Sequence, residues 1–350
     1  MARDTQRFGK EYLAHMCALE MATNIDRDEW GRFVSDHPRG SVFQTPEMYD
    51  VYAAAEYHEP MILGALEDGK LKGVLLSVLS RYGGRVRSAF SSRSTVYGGP
   101  LVANDDQKIS TLLIASHDSH VQGRALFSQA RNIHDPEPVL APYRSCGYTY
   151  NDHLNYLVDL SRGEDAVFSR FQSKKRQVIR RSIREGMTTR VGDKADLGVF
   201  YQMLMEIFHQ KARLPLPRIS FFESIFEILV PRNLAQLFIC EKESVPMAGT
   251  LCLTYRDTIH SFYNGSFREH LRHYPNDSLH WEIMRWGILH GYSLFDFGGG
   301  GAPHEKFGVR DFKKQFGGRE VNFGWFTKVF SPVRLALARI AFEAQRRLAS

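Results

Sequence analysis

Residues 63–78 read LGALEDGKLKGVLLSV, and residues 237–253 read LFICEKESVPMAGTLCL. Each stretch holds two apolar runs around a polar turn, and Asp68-Gly69 in the first stretch is a strong β-hairpin signal. The two stretches align with each other, with a longer turn predicted in the second. They therefore predict two similar hairpins, one in each half of the chain.

The flanking elements extend this similarity to an internal repeat. Each half has the predicted order helix, β-hairpin, strand, helix and strand. The first hairpin leads to Tyr97-Gly98-Gly99 and the second to Tyr263-Asn264-Gly265. Because turn, glycine and tyrosine positions agree together, the repeat predicts two similar domains.

Composition narrows the function classes. The chain has 350 residues, a hydrophobic fraction of 43% and a net charge of +6, which fits two globular domains and an anionic partner. Its four cysteines form neither a C-x-x-C pair nor a zinc spacing, so we expect a cytoplasmic protein without a metal site. No apolar window is long enough for a predicted transmembrane span.

The repeated unit has the plan of an acyl-CoA N-acyltransferase (GNAT-like) domain. We therefore predict the α/β (α+β) class, with two tandem GNAT-like domains and mixed, largely antiparallel sheets. This analogy concerns the fold and does not identify a substrate.

Four local strings resemble motifs of the FemABX aminoacyltransferases, which build peptidoglycan interpeptide bridges. They spread over most of the chain, and the last two together are the most specific. The strings are FQTPEMYDVY (43–52), FQSKKRQVIRRSIREGM (171–187), YPNDSLHWEIMRWGILHGYSLFDFGG (274–299) and DFKKQFGG (311–318).

This resemblance implies a transferase that moves an amino acid from aminoacyl-tRNA to an amine of a nucleotide- or lipid-linked cell-wall precursor, without a cofactor. It also implies that the chain's end returns to the first domain. The predicted boundaries are 21–150 with 325–350 for the first domain, 151–324 for the second, and 1–20 for an N-terminal extension.

The candidate catalytic residues follow from the last two motifs. Lys313 matches the family's lysine after phenylalanine, where a cation would stabilise the oxyanion of acyl transfer, and the alternative is a lysine on a strand edge. Phe312 would wall the channel. Asp296 is a candidate base, or it orients the loop by accepting backbone N–H bonds.

The candidate substrate-binding residues come from a glycine run, a basic helix, the strand ends at Tyr97 and Tyr263-Asn264, and the motif at 43–52. Gly298 and Gly299 begin a glycine run that either lets a substrate approach the backbone or connects two elements. Six cations on the predicted helix after residue 171 would bind phosphates, unless they form a solvated face. The substrate-binding candidates are Arg176, Arg180, Tyr263, Asn264, Gly298, Gly299, Tyr97 and Gln44.

Two rival functions stay open. An acyl-CoA-dependent N-acyltransferase of a sugar or peptide amine is disfavoured because HLRHYPNDSLHW (270–281) lacks the glycines of a pyrophosphate loop. A non-catalytic nucleic-acid-binding module would keep the fold and use only the basic helix.

The basic amphipathic segment 328–348 either contacts a membrane peripherally or packs on the first domain.

Overall fold

The computed structural model describes residues 19–82, 90–208, 216–305, 307–338 and 340. Almost all of the predicted extension 1–20 lies outside the described residues. The same holds for 339 and 341–348 of the predicted amphipathic segment, whose residues 332–338 are helical.

The chain divides into two compact units. The first takes in the described residues up to Pro46, then Pro60–Thr149 and Phe326–Pro332. The second takes in Glu47–Glu59, Tyr150–Trp325 and the described residues from Val333 onward. The predicted domain boundaries stay a prediction, and these units differ from them at 47–59 and after 332.

The strands alternate with helices in the order that the repeat predicts. The described strands are β1 (Leu19–Ala22), β2 (His58–Glu67), β3 (Lys70–Ser80), β4 (Arg93–Tyr97), β5 (Leu101–Val102), β6 (Phe127–Arg131), β7 (Thr149–Asn151), β8 (Leu154–Asp159), β9 (Met187–Val191), β10 (Ala235–Lys242), β11 (Val245–Tyr255), β12 (Thr258–Ser266), β13 (Leu294–Gly299), β14 (Arg319–Asn322) and β15 (Trp325–Val329). The described helices are α1 (Arg27–Asp36), α2 (Pro46–Ala54), α3 (Gln107–Val121), α4 (Glu137–Ser145), α5 (Glu164–Ser169), α6 (Ser173–Arg184), α7 (Leu197–Met205), α8 (Ile219–Ile228), α9 (Pro275–Leu289) and α10 (Gly308–Lys314).

The two sheets are mixed and largely antiparallel, as predicted. The first has the strand order β1-β2-β3-β4-β6-β15-β7, with β5 paired to β3, and the second has the order β14-β8-β13-β12-β11-β10-β9. Each contains one parallel pair joined through a long helix: β4 with β6 through α3, and β12 with β13 through α9. The repeat read from the sequence is therefore a repeat of topology.

Both hairpins close with two-residue turns, which corrects the longer turn predicted for the second. Asp68 and Gly69 both have positive φ, as do Glu243 and Ser244, and this geometry matches the twist of the flanking strands. The pairing of β10 with β11 shifts register between Cys240 and Glu241. The extra residue of the second hairpin is thus absorbed by a β-bulge in the ladder and not by the turn.

The second unit also includes helix α2. The ring of Tyr52 stacks on that of Phe221 at 5.9 Å between centroids, and the Glu56 backbone N–H donates to Ser220 Oγ over 3.3 Å. Helix α2 therefore packs beside α8, which explains why residues 47–59 group with this unit.

The core of the second unit lies between its sheet and helices α6 and α9. Phe171, just before α6, and Ile179 of α6 belong to one buried cluster with Leu279 and Met284 of α9. Burial of apolar side chains of this size stabilises the packing by about 1.5–3 kcal/mol each. This packing fixes α6 and α9 under the strands that carry the candidate site.

Candidate active site between two parallel strands

The parallel strands of the second unit are paired over a short length. Their register joins three residue pairs, of which His260 and Asp296 are the last. In the first unit, the pairing of β4 with β6 covers five residue pairs and reaches the end of both strands at Tyr97 and Arg131. The segments 261–264 and 297–299 of the second unit thus leave the parallel ladder, and we call the place between them the wedge.

A bulge shapes one side of the wedge. In the pairing of β11 with β12, Leu251 is opposite Tyr263 whereas Cys252 is opposite Ser261. Phe262 is therefore the extra residue, and a bulge of this kind re-aims the side chains that follow it. It directs the end of β12 away from β13.

Lys313 closes the wedge from the side of helix α10. Its ammonium Nζ donates to the carbonyl oxygens of Phe297 at 2.6 Å, Gly298 at 3.1 Å and Gly299 at 2.7 Å. Each of the three N–H groups of the ammonium thus has a carbonyl acceptor, and these hydrogen bonds stabilise the charged form of Lys313. Burial lowers the pKa of Lys313 to about 8, while the negative charge of Asp296 acts to raise it.

The alternative of a lysine on a strand edge is wrong. Residues 308–314 form a helix, and the side chain of Lys313 points inward, with the residue 8% exposed. Its neighbour Lys314 is exposed. The two adjacent lysines therefore differ in environment, because successive residues of a helix lie on different faces.

Asp296 anchors the loop that contacts Lys313. Its Oδ1 accepts hydrogen bonds from Asn155 Nδ2 at 2.8 Å and from the Gly298 N–H at 2.7 Å, and its Oδ2 lies 3.2 Å from His260 Nδ1. Burial acts to raise the pKa of Asp296, but hydrogen bonds from His260, Gly298 and Asn155 outweigh it and the pKa lies below its usual value. This geometry matches the orienting role and not that of a base.

The glycine run is held by close packing. Gly298 has a φ of +69°, which only glycine adopts readily. A Cβ on Gly299 would lie 2.3 Å from the imidazole of His153. The Gly300 N–H donates to the Leu154 carbonyl over 2.6 Å. These contacts pack the run against His153 and Leu154, and its role in admitting a substrate stays a prediction.

His280 lies in helix α9 beside the wedge, and the sequence reasoning missed it. Its Nδ1 is 2.7 Å from the Asn276 carbonyl and its Nε2 is 3.1 Å from Asn264 Oδ1. Burial first, and the charges of Lys313 and Lys175 after it, lower the pKa of His280 to about 4, against an opposing effect of Asn276. A neutral imidazole carries one N–H, so the neutral state requires Asn264 to turn its NH2 group toward Nε2.

Phe312 lies between the site and a buried cation. The ammonium of Lys175 is 4.0 Å from the ring centroid of Phe312 and 4.6 Å from that of Phe316. Lys175 also donates a short hydrogen bond to Asp277, and it is 3% exposed. The sequence placed Lys175 among the phosphate-binding cations, but it faces the core.

Arg176, like the buried Lys175, does not contribute to the predicted cationic face of α6. Arg176 donates to the carbonyl oxygens of Ser169 and Phe171, each over 2.6 Å, and so caps the preceding turn. Arg180 is exposed, with its guanidinium 5.2 Å from the ring centroid of Phe168. The apolar Ile183 of the same helix is exposed.

The other predicted residues have packing partners. Tyr263 contacts the ring of Phe222 at 5.0 Å between centroids, and the side-chain amide of Asn264 is hydrogen-bonded with Thr250 Oγ1 over 2.8 Å. In the first unit, the ring of Tyr97 stacks on Phe43 at 4.9 Å. Gln44 is fully buried there, and its Oε1 accepts from the Ser41 N–H over 3.0 Å.

The first unit contains a buried polar network that no spacing in the sequence revealed. Ser94 Oγ lies 2.9 Å from His117 Nε2, and His117 Nδ1 lies 3.1 Å from Asp118 Oδ1. Asp118 also accepts from Tyr148 Oη over 2.6 Å and from Lys328 Nζ over 2.7 Å. All three members of the Ser-His-Asp row are buried, so the network supports packing. Lys328 is thereby directed into the first unit and not toward a membrane.

Neither a metal cluster nor a membrane-spanning helix occurs among the described residues. No group of three or more His, Cys, Asp or Glu side chains among them could hold a metal ion. None of their helices is both long enough and apolar enough to span a membrane.

Residues 173–314 match the family model described as "Acetyltransferase (GNAT) domain". This segment begins with helix α6 and ends at helix α10, so it includes the whole wedge. No curated protein matches the chain.

Solved structures resemble the chain over nearly its whole length. FemX has a TM-score of 0.69 at 16% identity, over 91% of this chain and 99% of that one. A tandem GNAT protein from the clavulanic acid biosynthesis pathway has a TM-score of 0.60 at 14% identity, over 90% and 99%. The C-terminal domain of a putative lysylphosphatidylglycerol synthetase from Agrobacterium fabrum has a TM-score of 0.58 at 15% identity, over 90% and 96%.

These similarities confirm the predicted tandem GNAT-like fold and its likeness to the fold of FemX. Together with the family match, they support an acyltransferase of the GNAT type. At identities this low the resemblance of structures concerns the fold, and the substrates have to be argued from the site.

Proposed function

We propose that this GNAT-type acyltransferase moves an aminoacyl group from aminoacyl-tRNA to an amine of a cell-wall or polysaccharide precursor. The FemABX motifs at 274–299 and 311–318 suggest this chemistry, and both contribute residues to the wedge. The precursor is a nucleotide- or lipid-linked molecule, and the donor takes the place of a cofactor.

The N-terminal turn of helix α9 is the feature that favours aminoacyl-tRNA over acyl-CoA as the donor. An acyl-CoA enzyme needs free backbone N–H groups there for the pyrophosphate. In this chain that turn holds the carboxylate of Asp277, which is bonded to the buried Lys175. The segment 267–274 before it contains no glycine. The N–H groups of Asp277 and Ser278 in that turn already donate to the Tyr274 carbonyl over 3.1 and 3.4 Å, so the site favours a donor other than CoA.

The chemistry assigned to the site is attack of the acceptor amine on the aminoacyl ester. A C–N bond forms, the C–O bond to the ribose breaks, and the proton of the amine passes to the departing ribose oxygen. The negative charge of the tetrahedral intermediate is stabilised by the cation of Lys313 beside the loop 297–299. Because its pKa lies near 4, His280 is neutral at physiological pH and does not compete for the proton.

Arg180 of helix α6 is assigned to the phosphates of the donor or acceptor, because it is exposed and Arg176 is occupied by backbone carbonyls. The described part of the segment 328–348 exposes Val333, Leu337 and Ile340. These side chains make residues 333–340 one of two candidate places for a peripheral membrane contact, with the protein otherwise in the cytoplasm.

The substitution Lys313→Met tests the proposed function, with Lys314→Met as the matched control. Removal of one group that stabilises an oxyanion lowers kcat by about 100-fold or more, so we expect at least that loss for Lys313→Met and none for Lys314→Met. Turnover is measured with aminoacyl-tRNA and an amine acceptor, below the unfolding temperature of each variant. Wild-type turnover in Lys313→Met would contradict the role of Lys313.

The pH profile is a second readout of the same role. The ammonium form is required, and the pKa of Lys313 is about 8. The wild-type kcat should therefore fall as the pH rises through about 8. A kcat that rises through this range instead would assign Lys313 to proton removal.

A CoA-dependent reaction is the second candidate, and it rests on the acetyltransferase description of the matched family. Titration of the protein with acetyl-CoA and with charged tRNA separates the two donors. Tight binding of acetyl-CoA with transfer of the acetyl group would replace the proposed donor. Salt-sensitive tRNA binding without any transferred product would favour the non-catalytic binding module.

A further inference from the structure

Three parts of the second unit meet at the end of helix α6. Ser182 Oγ of this helix donates to the carbonyl of His273 over 3.1 Å, which joins it to the 3-10 helix Arg268–His273. The Phe267 N–H donates to the Met247 carbonyl over 3.0 Å, which joins that 3-10 helix to the tip of the β10–β11 hairpin. These two hydrogen bonds place the three parts side by side, and we call this end of the unit the basic-apolar end.

Exposed apolar side chains occur on each of these three parts. Each has a relative exposure between 37% and 47%. They are Ile183 on α6, Val245 at the hairpin tip, and Leu271 and Tyr274 in and after the 3-10 helix. Single exposed apolar residues are common on protein surfaces, but several on one continuous surface mark an interaction site.

Cations surround these apolar side chains. Lys242 belongs to the hairpin tip, Arg184 to α6, and Arg268 and Arg272 to the 3-10 helix. The acidic Glu185 is engaged within the surface: its hydrogen bond from Arg181 at 2.7 Å, then the charges of Lys242 and His273, lower its pKa. Glu269 lies 3.4 Å from His270. Glu243 is a third acidic residue, exposed at the hairpin tip. With Arg181 counted, five cations still outnumber these three acids, so the basic-apolar end presents a net excess of positive charge.

We infer that the basic-apolar end docks the protein on the surface of an anionic lipid bilayer. Aliphatic side chains such as Ile183 and Leu271 gain free energy by entering the boundary of the acyl chains, and arginines beside them bind lipid phosphates. A nucleic acid would use the cations but gives no favourable place to the aliphatic groups. This surface deepens the proposed function because it would bring the enzyme to a lipid-linked acceptor, yet its existence does not depend on the transfer reaction.

Vesicle sedimentation tests the surface without any transfer assay. The full-length protein is mixed with vesicles of equal parts phosphatidylglycerol and phosphatidylcholine, and with vesicles of phosphatidylcholine alone. We expect binding to the first and at least tenfold less to the second. Each arginine near an anionic surface contributes about 1 kcal/mol, so Arg184→Glu combined with Arg272→Glu should lower the affinity at least tenfold.

Leu271→Glu examines the apolar contribution, with Leu289→Glu as its matched control. Leu289 belongs to the same unit, is 75% exposed and lies outside the basic-apolar end. Leu271→Glu should lower vesicle binding at least tenfold, and Leu289→Glu should leave it unchanged. Both side chains are exposed, and thermal unfolding of each variant verifies that it folds.

Three results would overturn the inference. The first is wild-type vesicle binding in both Leu271→Glu and the arginine double variant. The second is a loss of vesicle binding in Leu337→Glu alone, which would assign docking to the C-terminal segment. The third is binding of tRNA, but not of vesicles, that depends on Arg184 and Arg272, which would make the surface a nucleic-acid site. In each case the Lys313→Met result for the proposed function stands independently.

Discussion

The buried environment of His280 disfavours the protonated form of its imidazole. Its ring stacks on Phe297 at 5.3 Å between centroids, and burial lowers its pKa from 6.5 to about 4. Between these values the unfolded chain binds a proton that the folded chain does not bind. The stability contributed by neutral His280 is complete above pH 6.5 and is lost as the pH falls toward 4. The shift corresponds to roughly 3 kcal/mol.

The substitution His280→Gln removes this titration and keeps hydrogen-bonding groups near Asn264 and Asn276. We expect the free energy of unfolding of the wild type to fall more steeply below pH 6.5 than that of the variant, by up to roughly 3 kcal/mol at the lower end. Urea unfolding at a series of pH values measures the difference, since other acidic groups titrate in both proteins. Parallel stability curves for the two proteins would show that His280 does not titrate in this range.

At the residue scale, the sequence identified residues of the site, but it did not show whether each side chain is buried or exposed. Asp296 does accept the backbone N–H of Gly298, as the orienting role required. Lys175 was placed among the phosphate-binding cations of α6, although its spacing of four from Ile179 puts it on the buried face of that helix. The rings of Phe312 and Phe316 that receive it come from a distant segment, and local spacing cannot show such a partner.

At the element scale, the buried ion pair of Lys175 with Asp277 links helix α6 to helix α9. Lys175 is almost completely enclosed, and burial lowers its pKa in spite of the opposing charge of Asp277. The pair therefore fixes how the two helices meet without adding much stability. Replacing such a pair with apolar side chains is often neutral or stabilising, whereas removing one partner costs about 3–5 kcal/mol.

A double-mutant cycle tests this link between the helices. Asp277→Leu leaves a buried ammonium without its partner and should destabilise the protein by about 3–5 kcal/mol. Lys175→Met should cost less, because Asp277 is the more exposed partner. The double variant should be more stable than Asp277→Leu alone, as measured by urea unfolding. Additive losses in the double variant would mean that the two side chains are not coupled.

Element types were predictable where a local signal sets them. The Asp68-Gly69 turn closes the first hairpin, and Asp106 caps helix α3 by accepting the N–H groups of Lys108 and Ile109 at 2.8 and 3.1 Å. Residues 42–44 form a 3-10 turn, although the apolar pair Val42-Phe43 would also suit a short strand. Local patterns cannot reveal whether a short apolar stretch finds a neighbouring strand.

At the scale of the whole molecule, the repeat gives two sheets of the same plan, which differ in the length of their parallel pairing. The first sheet keeps its parallel pair together over five residue pairs, whereas the second releases its pair after three. The first sheet also receives strand β15 from the end of the chain, between β6 and β7. The FemABX resemblance implied that the chain's end returns in this way.

Strand β15 should therefore be required for the stability of the first sheet. Phe326 is fully buried against Tyr143, with ring centroids 4.5 Å apart, and Lys328 donates to Asp118 and to the Cys146 carbonyl, each over 2.7 Å. A chain that ends at Gly324 loses these contacts and leaves β6 with an unpaired edge. A control chain that ends at Pro332 keeps all of them and lacks only the segment after β15.

Amide hydrogen exchange measured along both truncated chains distinguishes the two units. In the chain that ends at Gly324, exchange in β6 should rise at least tenfold over the control, because its neighbouring strand is gone. Exchange in β11 and β12 should not change, since their ladders contain no residue after 324. A rise throughout the second sheet as well would show that the two units unfold together, and unchanged protection in β6 would show that β15 is dispensable.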